Sequence, residues 1–380
     1  MLAVVKAPPR PFEYMAWAQR VPSGARWNLS ASGMEDTTAQ LGDDSPWSGG
    51  LTIAAEARRD QRDLALDELG RRLASRYGVA REQVVPTLGA SQAITHALLT
   101  VVRPGDHVIV ERPTYEALHR VPELLGASVS RLERTYDDGW AVSPERLAKL
   151  LTPRTRAVVL SNLHNPSGVG IPAKVLAEVC GLAARVGALV LVDEVYLDFC
   201  FDLSDPGDWR PAALVADNAV SWSSATKCFG FSAIRCGWLV TRQPEVARAL
   251  RTTADYLHVY PPVTSARIGA LVLRQAEPLT ARANRIAAEG REVVDGWLRS
   301  ERRVAWVPPT AGITGALRLP DLLDDVAFAD HLRQAYDTQV VPGSLFECPG
   351  FVRLSYGLAP APLREALDHM SSALDDMRSR

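Results

Sequence analysis

Ala188-Leu189-Val190-Leu191-Val192 runs without a polar atom in its side chains directly into Asp193-Glu194-Val195-Tyr196. An apolar run of this length, preceded by Gly187 and rich in branched residues, reads as a strand buried on both faces, the kind found in a helix-covered parallel sheet. Two carboxylates immediately after it are costly unless they have partners. Ligands of such sheets sit just beyond the carboxyl ends of the strands. One of the two acids is therefore expected to point into a site.

Working outward, the same rhythm holds from about residue 60 to 250. Strands are expected at Gln83–Thr87, His107–Glu111, Arg156–Ser161, Ala219–Ser223 and Cys236–Thr241. Helices are expected at Ala90–Val102 and Pro172–Val186, where Val175, Leu176, Val179, Leu182 and Ala183 recur at helical spacing. This alternation defines an α/β domain with a mostly parallel sheet and helices on both faces. After about residue 280 the pattern changes. A long helix at Arg282–Ser300 leads to strands at Val304–Val307, Gly315–Leu319, Gln339–Val341 and Val352–Ser355, with helices at Val326–Tyr336 and from Pro362. A smaller α+β domain is expected there, joined by the first forty or so residues. The division is residues 44–280 against residues 1–43 with 281–380.

Composition narrows the function classes. The formal net charge of -2 implies no broad basic face for nucleic acid or an anionic membrane. The start, MLAVVKAPPRPFEY, has too short an apolar run for a signal-peptide core. The longest apolar stretch ends at Asp193, far short of a membrane span. The five cysteines are scattered without a CxxC pair, which reads as reduced thiols in a cytoplasmic protein, not a zinc site. No His, Cys and carboxylate cluster has metal-ligand spacing. Only four lysines occur, Lys6, Lys149, Lys174 and Lys227, against a majority of arginines.

The strand ends collect unusual residues. Leu88-Gly89-Ala90-Ser91 opens a helix, where backbone N–H groups suit a phosphate; Ser91 as an ordinary helix cap explains the same residues. Tyr115 follows another strand and reads equally as packing. Asn165-Pro166-Ser167-Gly168 forms a tight turn on its own account. Finally, Ser221–Gly230 reads SWSSATKCFG, with Arg235 eight residues after Lys227. A rare lysine at a strand end, among small hydroxyl residues, does not look like a solvated surface.

Together, NPSG at 165–168, DEVY at 193–196, Ser224 three residues before Lys227, and Arg235 resemble the class I/II aminotransferases, fold-type I pyridoxal-phosphate enzymes related to aspartate aminotransferase. The likeness runs from about Asn28 to Tyr356. It implies a seven-stranded large-domain sheet and pyridoxal 5′-phosphate carried by Lys227 as a Schiff base, with the lysine then moving the substrate Cα proton. It further implies that Asp193 pairs with the pyridine nitrogen, that Asn165 and Tyr196 bond the ring oxygen, and that Tyr115 stacks on the ring. Gly89, Ala90, Ser91, Ser224 and Arg235 would hold the phosphate. Arg353, in Gly350–Tyr356, would bind the substrate carboxylate, with Gly33 on a closing segment. His164 is read as a neighbour of the cofactor at most, since the lysine already serves as acid and base.

The implied reaction is transamination between an amino acid and a 2-oxo acid, in a homodimer. Tyr260-Pro261-Pro262, Thr264 and Ser265 are candidates for the subunit contact. A β-eliminating lyase, a decarboxylase or a cyclising biosynthetic enzyme on the same scaffold is the alternative. One departure keeps it open: no tyrosine occurs between Tyr14 and Tyr77, where many relatives place one that reaches the partner's cofactor, and Trp47–Glu56 stands there instead. Pro342–Glu347 also departs from the family's usual PGxxFG. A DNA-binding regulator built on this fold would need a preceding winged helix, and only about thirty residues precede the first motif.

Overall fold

The computed structural model describes residues 10–20, 25–35, 59–200, 207–321 and 323–378. The stretch Trp47–Glu56 and the first nine residues lie outside them.

Seven strands form the large sheet: β1 (Val84–Thr87), β2 (His107–Arg112), β3 (Ser128–Glu133), β4 (Thr155–Ser161), β5 (Leu189–Asp193), β6 (Ala219–Ser224) and β7 (Gly237–Val240). Their spatial order is β1-β7-β6-β5-β4-β2-β3. Neighbours run parallel except β7, which is antiparallel to both β1 and β6. The opening stretch lies at the centre as β5. Its side chains alternate between two cores, as the period of two demands. Leu191 packs with Ile94, Ala97 and Leu98 of the helix Gly89–Val101 on one face. Val190 and Val192 pack with Leu176, Val179 and Ala183 of the helix Ala173–Ala184 on the other. Burial on both faces explains why no polar residue interrupts the strand.

A second, four-stranded antiparallel sheet comprises β8 (Ala305–Trp306), β9 (Thr314–Arg318), β10 (Val341–Pro342) and β11 (Phe351–Ser355), ordered β10-β11-β9-β8. Its core joins Leu317, Val352 and Leu354 to Phe328, Leu363 and Met370 of flanking helices. Leu29 belongs to the same cluster, and Trp27–Asn28 pairs in parallel with Thr338–Gln339. The early segment is thereby tied to the C-terminal third.

Several details differ from the sequence reading. Helices at Arg59–Tyr77, Glu116–Leu124, Pro144–Leu150, Pro244–Leu257 and Val263–Arg274 had no stated expectation. Four more differences have a plain physical cause. The edge strand β3 was not foreseen, because Ser128–Glu133 mixes charged and apolar residues and is half-exposed. The long helix begins at Ala276 instead of Arg282: Pro278 sits in its first turn, where a missing N–H is tolerated. The strand expected at Gln339–Val341 is broken, its two parts pairing with different sheets. A helix at Glu13–Arg20 also went unread behind its flanking prolines. Among the described residues no helix is long and apolar enough to cross a membrane. None of their His, Cys, Asp and Glu side chains cluster to hold a metal.

Candidate active site

The carboxyl ends of β4, β5 and β6 open into a cavity of about 520 Å³, closed on the far side by β11 and by residues 14–15 and 32–34. Ten of the twelve residues singled out from the sequence line it. From the large sheet and its loops come Ala90, Ser91, Tyr115, Asn165, Asp193 and Tyr196. Lys227 and Arg235 follow β6, Gly33 comes from the early segment, and Arg353 from β11. Gly89 and Ser224 do not line it.

Strand register separates the two acids. Asp193 ends β5 and faces the cavity, accepting the Val195 backbone N–H at 3.2 Å. Burial raises its pKa to about 6, against the Val195 N–H bond and, to a lesser extent, the charge of Lys227. Glu194 turns away. It accepts the Ala212 N–H at 2.7 Å and is held well above the usual carboxylate range by burial.

Lys227 presents its amine to the same space. Its Nζ donates to Ser32 Oγ at 2.7 Å and lies 5.9 Å from the centre of the Tyr196 ring. Desolvation, then the positive charges of Arg353 and Arg235, bring its pKa down to about 8, while Asp193 opposes them. Tyr196 donates its hydroxyl to the Ser32 carbonyl at 2.8 Å. Burial pushes this phenol up, so it stays protonated.

Arg353 is 1% exposed, yet it meets no carboxylate among the described residues. Its donors go to Asn165 Oδ1 at 3.1 Å, the Ser30 carbonyl at 3.0 Å and the Tyr14 hydroxyl at 3.3 Å. The guanidinium rests 5.1 Å from the Phe346 ring centre, and its Nε has no partner among the described residues. Alternation along β11 produces this placement, with Val352 and Leu354 in the core and Arg353 on the opposite face.

The turn before the helix Gly89–Val101 depends on Gly89, whose φ is +75°. A Cβ there would lie 2.6 Å from Arg235 Nη2, so the guanidinium packs directly on the turn. Ser91 is not the cap, since the cap position is Leu88, whose N–H donates to Gln92 Oε1 at 2.7 Å. Ala90 and Ser91 therefore contribute first-turn N–H groups, which have no partner within a helix. Ser224 hydroxyl is engaged with Thr226 Oγ1 at 2.7 Å; Thr226 and Ser232 reach the cavity instead.

Gly33 lies against the Lys227 loop, where a Cβ would come 2.8 Å from the Thr226 carbonyl. His164 is structural: it is bonded to Ser167 Oγ at 2.7 Å and the Pro113 carbonyl at 2.9 Å. Burial holds its pKa well below the ordinary value. Sequence reasoning missed Ser32 and Tyr14. Ser32 was visible only as the neighbour of Gly33, and nothing in the motif pattern marks Tyr14. Tyr14 is joined to Tyr115 edge-on, with ring centres 5.4 Å apart.

The sequence profile described as aminotransferase class I and II matches residues 56–370. The aspartate/prephenate aminotransferase of Thermus thermophilus is 27% identical over 300 residues, covering 78% of this chain and 76% of that one. The arginine–pyruvate transaminase of Pseudomonas aeruginosa is 30% identical over 309 residues, 78% of each chain. The crystal structure of a PLP-dependent aminotransferase from Streptococcus suis superposes with a TM-score of 0.86 at 25% identity, covering 97% of this chain and 99% of that one. The chain belongs to the class I and II aminotransferase family.

Proposed function

We propose that this aminotransferase moves the amino group of an α-amino acid to a 2-oxo acid in the cavity just described, with pyridoxal 5′-phosphate carried by Lys227. One juxtaposition carries the reading. Among the described residues, a buried arginine with only neutral partners faces an amine that is easily made neutral, beside a buried carboxylate with no cation bonded to it. Each is unfavourable in an empty fold, and each is relieved by one part of an amino acid or of the cofactor.

The residues present fit the cofactor. Ala90 and Ser91 N–H groups and the Arg235 guanidinium form an anion cradle for the phosphate. Asp193 suits a protonated ring nitrogen. Asn165 and Tyr196 suit the ring oxygen, and Tyr115 the ring face. When bound, pyridoxal phosphate supplies an electron sink for the charge left as the Cα proton departs.

The protein's own groups do the rest. Arg353 holds the substrate carboxylate by charge-assisted bonds. Lys227, neutral above about pH 8, takes the proton from Cα and returns it. Tyr14 and Met15 cover the cavity and limit the access of water. Residues 44–280 act as the cofactor-binding domain, with 1–43 and 281–380 as the smaller one. The working form is a cytoplasmic homodimer; the exposed apolar side chains of Leu64, Tyr256, Val259 and Tyr260 support a subunit contact near the region singled out from the sequence.

The test is a panel of α-amino acids given to the cofactor-loaded enzyme with and without a 2-oxo acid. A new amino acid formed only with the acceptor is expected. Ammonia and pyruvate released without an acceptor would replace transamination by elimination.

A further inference from the structure

The geometry points to Ser32 as the residue that positions the Lys227 amine for proton transfer, a role that rests on Lys227 being the group that moves the Cα proton.

Four contacts fix Ser32 and Lys227 against each other. Lys227 Nζ donates to Ser32 Oγ at 2.7 Å. Tyr196 donates to the Ser32 carbonyl at 2.8 Å. The Met34 N–H donates to the Lys227 carbonyl at 2.9 Å. Between these bonds, Gly33 approaches the Thr226 carbonyl so closely that a Cβ would sit 2.8 Å away. The segment is thus threaded over the lysine, and the serine hydroxyl is the group it delivers to the amine.

The surroundings show why a neutral acceptor belongs there. The charged groups acting on Lys227 are Arg353 from β11, Arg235 from its own loop and Asp193 from β5, with the Tyr196 ring alongside. Among the described residues Lys227 joins no ion pair. A carboxylate in place of Ser32 would hold the amine as ammonium, and an apolar group would leave it free to rotate. A hydroxyl accepts one N–H and lets the lone pair face the cavity. In the step it serves, the Cα–H bond breaks, its electron pair stays with the cofactor-bound substrate, and an N–H bond forms on Nζ. The Ser32 bond is made by Lys227 as a free amine, the form that would carry the proton.

The test compares Ser32→Ala and Ser32→Thr in the cofactor-loaded enzyme with a transaminated substrate. Ser32→Ala is expected to lower kcat about tenfold, the upper size of losing one neutral hydrogen bond, with KM nearly unchanged. The isotope effect for a Cα-deuterated substrate should rise, and Ser32→Thr should restore both. In the cofactor-free protein, acetylation of Lys227 followed by peptide mass spectrometry should show its pH midpoint falling by roughly half a unit in Ser32→Ala, because an acceptor for the ammonium is gone. Wild-type kcat, isotope effect and midpoint in Ser32→Ala would overturn the assignment, and so would a threonine variant no better than alanine. Failure of the underlying reading is separately visible: borohydride reduction of the loaded wild type would then leave the cofactor unattached to Lys227, and the Ser32 role falls with it.

Discussion

Two buried arginines, Arg134 and Arg353, sit in the same molecule and are treated in opposite ways. Arg134 bonds Glu111 Oε2 at 2.7 Å, with both side chains fully buried, and gives its Nε to the Trp140 carbonyl at 2.7 Å. Glu111 Oε1 in turn accepts the Ser161 N–H at 2.6 Å and the Ser161 hydroxyl. This charge is closed off by a carboxylate and ties β2, the segment after β3 and β4 together beneath the cavity. Arg353 is equally buried but is held by an amide, a carbonyl and a phenol. Asp193 and Lys227 beside it likewise have no bonded counter-ion among the described residues. Of these two arginines, the one paired with a carboxylate ties strands together and the other lines the cavity. The pattern is consistent with perturbed groups gathering where substrates bind.

The sharpest way to separate the regions is to cut one side chain from each. Lys227→Ala should reduce transamination by at least about 10³-fold, the scale of removing a general acid–base group. It should leave the denaturation midpoint unchanged or raised, since an amine disfavoured by burial is gone. Glu111→Ala should do the converse. It leaves Arg134 buried and uncompensated, a loss of about 3–5 kcal/mol in unfolding free energy, read by urea denaturation. If Lys227→Ala were the more destabilising of the two, the contrast would collapse.

Asp193 tests the same idea through pH. Its ordinary value of 3.8 is raised to about 6 in the folded protein, chiefly by burial. The folded state therefore binds that proton more tightly than the unfolded chain does. The corresponding stability is fully present below about pH 4 and is lost as pH rises through about 6. Asp193→Asn should consequently stabilise the cofactor-free protein at pH 8, by up to about 3 kcal/mol. The gain should shrink as the pH is lowered toward 5. The same variant should lose most of its activity. A stability gain that is independent of pH would remove the titration from the explanation.

Legibility in the sequence follows the same division. The central strands could be read because burial on two faces leaves an unmistakable apolar run, as in Ala188–Val192, and because Lys227 stands out among so many arginines. Ser128–Glu133 could not, since an edge strand with one wet face has the composition of a loop. Within the site, residues recognised through motifs were found where a strand or helix terminus puts them. Ser32 and Tyr14 were not, because their roles depend on which chain segment crosses the cavity. Arg353 was identified by likeness to the family's strand, but that it meets only neutral partners among the described residues is a three-dimensional fact. Ser224 adds a contact that the motif does not reveal: its hydroxyl bonds Thr226, and Thr226 lines the cavity.

The smallest expected effect lies at Tyr14, and it distinguishes a lock from a handle. The Tyr14 N–H is anchored by Glu116 Oε2 at 2.9 Å, and its ring packs on Tyr115 and Phe346. Tyr14→Phe keeps those contacts and removes only the hydroxyl that accepts from Arg353 Nη2 at 3.3 Å. That bond is long, and Arg353 retains the Ser30 carbonyl, so unfolding free energy should change by less than about 1 kcal/mol. The hydroxyl has a second use. While accepting from the arginine, it can donate its own hydrogen to the carboxylate that Arg353 receives. KM should therefore rise about three- to fivefold, with kcat nearly constant, as expected for one neutral bond lost on binding. A lowered KM would mean that the hydroxyl competes with the substrate for Arg353 and has to be displaced. Arg353 would then be a partly closed lock like Arg134, and the line between the two arginines would be one of degree.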